Sequence, residues 1–428
     1  RDAQESRGLG DVYKRQQMSG VAIVNQLIFV YNLAIFGAVS AASIFGAQYF
    51  GKGNHKGHMY SFRFKLYATL LVTGGAILLF LTKGSALISL YLTDTVGNGA
   101  TDLALQYGLE YLAIMMVGLI PFAVNQSYAT NIKETGQTFI PMLASFVAVG
   151  TNAILDYLMI FGIGPFPELG VQGAALATVI ARYIEALIVV IWAHIHRGKN
   201  RYLEGAYTGF GIPLAELKAI LIKGFPLMMN EVLWAAGMTT VTQCYSVRGL
   251  DVVAGLNIAS TITNLFNIVY LQLGSCISIV VGQYLGAGKL EDAKDADNKM
   301  IVFSVFCCVI MAALMFVVGG FFPGIYNTTE EIRELATSFI AVSAIIMPFC
   351  AFSHASYFTL RSGGKTVVTF LFDSVFTWVI VVPAAYLLAH FTGLGIVSIY
   401  FLVQGTELIK VIIGYLMVKS NVWVVQMV

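Results

Sequence analysis

The chain has 428 residues and a net charge of +2; 57% of its residues are hydrophobic and only 11% charged, against about 25% charged in an ordinary soluble domain. So apolar a chain cannot hide its side chains in one water-surrounded core, and its apolar runs of about 20 residues match the hydrocarbon thickness of a bilayer. An all-α polytopic membrane protein follows, and no nucleic-acid partner is suggested, because the basic residues lie in short loops rather than on one dense patch.

In chain order, the opening stretch RDAQESRGLGDVYKRQ, 1–16, is polar, lacks a signal-peptide apolar region and matches nothing later. It reads as a non-native or disordered tail. Apolar segments follow at about 20–50, 62–82, 104–125, 138–161 and 170–195, then, after the polar stretch HIHRGKNRYLEGAYTGFG, at about 218–246, 252–285, 298–322, 335–359, 367–390 and 395–418. This predicts an N-terminal bundle over 17–200, a cytoplasmic loop between bundles over 201–217 and a C-terminal bundle over 218–428. Taking alternate loops as one side places seventeen Lys and Arg there and three (Lys83, Arg248 and Arg333) on the other. By the positive-inside rule the rich side is cytoplasmic. The chain is expected in the cytoplasmic (inner) cell membrane, multi-pass, with its C-terminus inside. A start in the cytoplasm would need one more helix before residue 20. The five cysteines (Cys244, Cys276, Cys307, Cys308 and Cys350) lie in apolar runs without metal-ligand spacing and read as small core residues.

The stretch GAQYFGKGN, 46–54, has a second copy in VGQYLGAGK, 281–289. Laid on one another, they pair Gln48 with Gln283, Tyr49 with Tyr284, Gly51 with Gly286 and Gly53 with Gly288. Upstream, the same register pairs Gly20 with Gly255, Ile23 with Ile258 and Asn32 with Asn267. ETGQT (134–138) and SGGKT (362–366) also correspond. The halves read as parallel copies of one six-helix unit, the first without its first helix, in a transporter-like plan.

These pieces resemble the multidrug and toxic compound extrusion (MATE) family of efflux transporters. The residues that carry the likeness are FGAQYFGKGN and VGQYLGAGK, IKETGQTFIPM, NAILDYLMIFGIG, GVQGAALATVIARY and GFPLMMNEVLWAAG. The family has twelve helices, where about eleven are read here. The resemblance implies export of bulky, often cationic amphipathic compounds, driven by inward flow of protons or sodium ions, with no other cofactor. A monomer is expected, in contact with lipid and its small-molecule substrates.

Ionisable groups at membrane depth are few, costly and usually functional. Asp156 lies mid-helix, and Asn152, four residues earlier, shares its face. The resemblance points to this pair as the cation site of the N-terminal half, with Thr178 from the next helix; a proton or a sodium ion suits one carboxylate with neutral oxygens. The bland alternative for Asp156 is an interhelical hydrogen bond. In the C-terminal half Glu231 follows Pro226 by five residues, and with Asn230 and Trp234 it could offer charge and an aromatic face to a cation. The alternative is a buried pair with a neighbouring helix. Asp373 either faces the same cavity or caps its helix. Arg182 with Glu185, and Glu407 with Lys410, are three apart and read as structural pairs within their helices. His354 reads as a satisfied core histidine, and Gln48 and Gln283 as interhelical hydrogen-bonding groups.

No enzyme site emerges. SGGKT invites comparison with a phosphate-binding loop, but GxxxxGK[ST] would need glycine where Thr359 stands. The reading is a secondary-active antiporter. The runner-up is a flippase for lipid-linked oligosaccharides, disfavoured because Arg182 is the only mid-helix arginine. A membrane enzyme or receptor would leave the duplication unexplained.

Overall fold

The computed structural model describes residues 18–90, 92 and 102–428, together with the helical backbone of 2–17 and 98–101. The side chains of the polar segment 1–16 therefore lie outside the described residues. The helices are α1 (Asp2–Lys52), α2 (His55–Ser89), α3 (Asn98–Val117), α4 (Leu119–Glu134), α5 (Phe139–Phe161), α6 (Gly170–Ile195), α7 (Leu214–Ser246), α8 (Leu250–Gly286), α9 (Leu290–Gly319) and α10 (Glu330–Ser362). Two more spans, α11 (Thr366–Phe391) and α12 (Ile396–Lys419), complete the set. Among the described residues, ten helices are long and apolar enough to cross a membrane, or eleven when the bent pair α3–α4 counts as one span. They coincide with the eleven hydropathy runs. Large apolar side chains such as Leu71, Phe146 and Phe303 are exposed on their outer faces, where lipid rather than water would meet them.

The 42° bend between α3 and α4 has a local cause. Pro121 has no N–H to offer the carbonyl four residues back, and its ring clashes with that carbonyl, so the helix breaks at Gly118. α11 departs from α-helix differently: Leu371–Val375 and Thr377–Val381 are π-helical, a distortion frequent at functional sites.

The helices form two compact units, residues 1–43 with 55–214, and residues 44–54 with 215–428. In the first, Ile35, Leu112, Leu119 and Ala175 share one core cluster, while Phe62, Ile132, Val189 and Tyr202 share another. Tyr202 belongs to the polar stretch after α6, so that stretch is packed into the unit and is not a bare tether. Arg63 clasps it, donating from Nε to the Ala206 carbonyl (2.9 Å), from Nη1 to Gly211 (2.7 Å) and from Nη2 to Gly205 (2.6 Å).

In the second unit Phe339, Met315, Cys308 and Ala351 lie in the main core. The duplicated glycine motif lies here, because the end of α1 belongs to this unit. A Cβ on Gly51 would stand 1.9 Å from the Gln283 carbonyl oxygen, and one on Gly286 would stand 1.9 Å from that of Gln48. The two repeats thus cross backbone on backbone with reciprocal contacts, a distance only glycine permits. Gln48 tightens the crossing: its Nε2 donates to the Ser362 (2.9 Å) and Val425 (3.2 Å) carbonyls, and its Oε1 accepts from the Met427 amide (2.7 Å).

Candidate functional site

Each unit carries its own set of polar groups inside its helices. In the first, Asn152 on α5 donates to the Thr178 hydroxyl on α6 across 3.3 Å. Thr178 in turn donates to the Ala174 carbonyl. One turn along α5, Asp156 has its Oδ1 buried and without a hydrogen-bond partner. Tyr111 on α3, which donates to Asn25 (3.3 Å), lies within electrostatic reach of both Asp156 and Arg182. Asn152 and Thr178 are thus brought together, while Asp156 is joined to neither by a hydrogen bond.

The expected pairing of Arg182 with Glu185 does not form. Arg182 reaches instead to the Gly118 carbonyl (3.4 Å) at the α3–α4 break, and its guanidinium lies 4.9 Å from the Phe122 ring centroid. Tyr183 donates to the Val117 carbonyl beside it (3.4 Å). Pro121 leaves the Val117 carbonyl without its helix donor, and Tyr183 on α6 supplies one, while the Gly118 carbonyl accepts from both the Phe122 amide (3.4 Å) and Arg182. Glu185 accepts from Ser145 (2.6 Å).

In the second unit Asp373 is central. Its Oδ1 accepts from the Lys410 ammonium at 2.6 Å, with the two side chains 15% and 8% exposed. Its Oδ2 accepts from Asn230 Nδ2 at 3.0 Å. Asn230 Oδ1 receives the Ser374 amide (3.2 Å) and hydroxyl (2.7 Å), and its amide also approaches the Tyr357 hydroxyl (3.4 Å). Asp373 stands on the first π-helical stretch of α11, mid-helix rather than at a cap. Glu231, on α7, is within electrostatic reach of Arg361 and Asp373. Trp234 is partly buried one turn from Asn230. His354 bonds the Cys350 carbonyl (2.9 Å), packs its ring 4.6 Å from Tyr270, and feels Lys410, Asp373 and Glu407.

Lys410 therefore does not pair with Glu407, whose Oε1 is buried without a hydrogen bond. A lysine inside ELIKVIIGY is itself a signal legible in the sequence: an ammonium in an apolar run demands a partner on another helix. Tyr357 and Ser374 carry no comparable signal.

Two further buried groups escape sequence reasoning. Lys65 donates to Glu134 (2.5 Å) and Asn131 (2.5 Å), while His58 meets the other Glu134 oxygen at 3.1 Å; Lys65 and Glu134 are fully buried. Counted by position, Lys65 looks like a loop charge; in the structure it is an internal one. Asp297 on α9, equally buried, contacts the Thr359 hydroxyl at 2.5 Å and leaves Oδ2 without a partner.

A family model described as MatE matches residues 9–158 and 226–387. The probable multidrug resistance protein NorM of Thermotoga maritima is 23% identical over 388 residues, covering 90% of this chain and 81% of that protein. The protein of the same description in Listeria innocua is 25% identical over 386 residues, covering 90% and 82%. A crystal structure of MATE in complex with MaL6 superposes with a TM-score of 0.84 at 18% identity, over 95% of this chain and 88% of that one. A MOP superfamily transporter from Pyrococcus furiosus, whose binding pocket is described as reversed in polarity, superposes with a TM-score of 0.83 at 18% identity, over 97% and 92%.

Proposed function

The chain belongs to the MatE family of multidrug and toxic compound extrusion transporters, and from that premise we propose that it is a secondary-active antiporter. It exports bulky, often cationic amphipathic compounds in exchange for protons or sodium ions, by alternating access. The observation that carries the proposal is the buried Oδ1 of Asp156, without a hydrogen bond, one turn from the Asn152–Thr178 contact. A carboxylate oxygen left bare in a membrane interior is expensive unless a proton or cation visits it. Asp156, Asn152 and Thr178 take the coupling ion. In the other unit Glu231, Asn230, Trp234 and Asp373 meet a cationic substrate. The duplicated plan supports alternating access, because two like halves can exchange conformations.

Asp156→Asn and Glu231→Gln are each expected to abolish ethidium transport into everted vesicles, the direction export takes there, at unchanged expression. Efflux driven separately by a pH gradient and by a sodium gradient names the ion. Normal efflux from both variants would overturn the assignment.

A further inference from the structure

We propose that the first unit carries a phosphate-binding site at the membrane face to which the basic loops belong. A cavity of about 490 Å³, within the range of small-ligand sites, opens between the start of α2 and the packed stretch after α6. His55, Lys56, Arg63 and Arg201 line it, with Glu204 as the one carboxylate. Three permanent cations thus face one anion.

The environment of each cation favours an incoming anion. Arg63 is only 6% exposed, yet among the described residues it pairs with no carboxylate. Its three hydrogen bonds go to backbone carbonyls, which satisfy N–H groups but do not neutralise a formal charge. A guanidinium has five N–H donors, so two remain for a ligand. His55 and Lys56 open α2, whose first turn contains no acidic residue. Positive side chains at a helix N-terminus oppose the helix dipole, where an anion is favoured. Arg201 meets Glu204 at 3.5 Å with both about half exposed (52% and 55%), a weak, solvent-screened pairing easily exchanged for a stronger anion. Gly205 and Gly209 also line the cavity and add no side chain to it.

A phosphate group fits this chemistry: compact, anionic and able to accept from a fork of N–H donors. Its two possible sources are the headgroup of an anionic phospholipid and a free phosphate. Basic pockets at this level of a membrane protein suit the first. The site stands apart from the carboxylates assigned to transport, so its failure would leave the transport proposal untouched.

The test uses the purified full chain in detergent, titrated with short-chain phosphatidylglycerol, short-chain phosphatidylcholine, inorganic phosphate and glycerol 3-phosphate. Binding is followed by native mass spectrometry and thermal shift. Phosphatidylglycerol is expected to bind and phosphatidylcholine not. Lys56→Gln with Arg201→Gln, both exposed and so foldable, is expected to weaken binding at least tenfold, from about 1 kcal/mol lost per charge. Glu204→Gln is expected to tighten it. Saturation by inorganic phosphate or glycerol 3-phosphate at equal affinity assigns a free phosphate; binding of phosphatidylglycerol alone assigns a lipid. Equal binding of the two lipids, or wild-type affinity in the double variant for every probe, overturns the site.

Discussion

Replacing Asp373 by asparagine keeps the shape of the side chain and removes its charge. Lys410 then retains an ammonium that is 8% exposed and has lost the carboxylate at 2.6 Å. At an effective dielectric constant of about 20, two charges at that distance attract by roughly 6 kcal/mol. Part of this offsets desolvation, so the net loss on breaking a buried pair is about 3–5 kcal/mol. Glu407 also acts on Lys410, which places the expected loss near the lower bound, about 3 kcal/mol. Lys410→Met alone leaves Asp373 with Asn230 as a neutral donor and should cost a similar amount. The double variant strands neither charge of the pair itself, and a Met of similar volume fills the Lys410 site. It should recover to within about 1 kcal/mol of wild type. Unfolding by SDS titration in mixed micelles measures all four corners of the cycle. Ethidium efflux, measured in parallel, should stay lost in the double variant if Asp373 meets substrate, separating its transport role from its structural one. Two results would refute the argument that this pair is a buried, mutually dependent unit. One is single variants within about 0.5 kcal/mol of wild type, the range of ordinary surface substitutions. The other is losses that simply add in the double variant.

Other substitutions test other parts of the molecule. Gly286→Ala puts a methyl 1.9 Å from the Gln48 carbonyl; relief requires moving one backbone against the other, so a loss of about 3 kcal/mol or failure to fold is expected. Gly75→Ala, where a Cβ meets nothing within 4 Å, should be neutral or gain up to about 1 kcal/mol as its mid-helix control, and equal thermal shifts for the two would contradict the crossing. Glu134→Gln strands the fully buried Lys65 and is expected to destabilise by about 3–5 kcal/mol, with Lys65→Met restoring most of it in the pair; a milder loss from Glu134→Gln than from the double variant would reverse this assignment.

What the sequence made legible is what the bilayer writes in one dimension. Apolar spans long enough to cross it, and the glycine motif repeated at 46–54 and 281–289, can be read directly. The purpose of that motif cannot: Gly51 needs to be glycine because of Gln283, and Gly286 because of Gln48, contacts with no local trace. The same division explains the two misassigned pairs. Spacing of three on one helix suggests Arg182–Glu185 and Lys410–Glu407, but such pairs are worth only about 0.2–0.5 kcal/mol on a helix in water. Inside a membrane protein an unpartnered charge or carbonyl loses several kcal/mol, so the stronger demand decides. Arg182 goes to the Gly118 carbonyl at the break that Pro121 imposes, and Lys410 goes to the carboxylate that the π-helical stretch of α11 carries. Pro121 is visible in the sequence, so the first of these can be inferred; the π-helical stretch, with no Pro or Gly among its residues Leu371–Val375, cannot. Lys410 is thus paired across helices, and helical proximity settles an ion pair where water already does the solvating, as for Lys294 with Glu291 and Lys299 with Asp295 on the exposed start of α9.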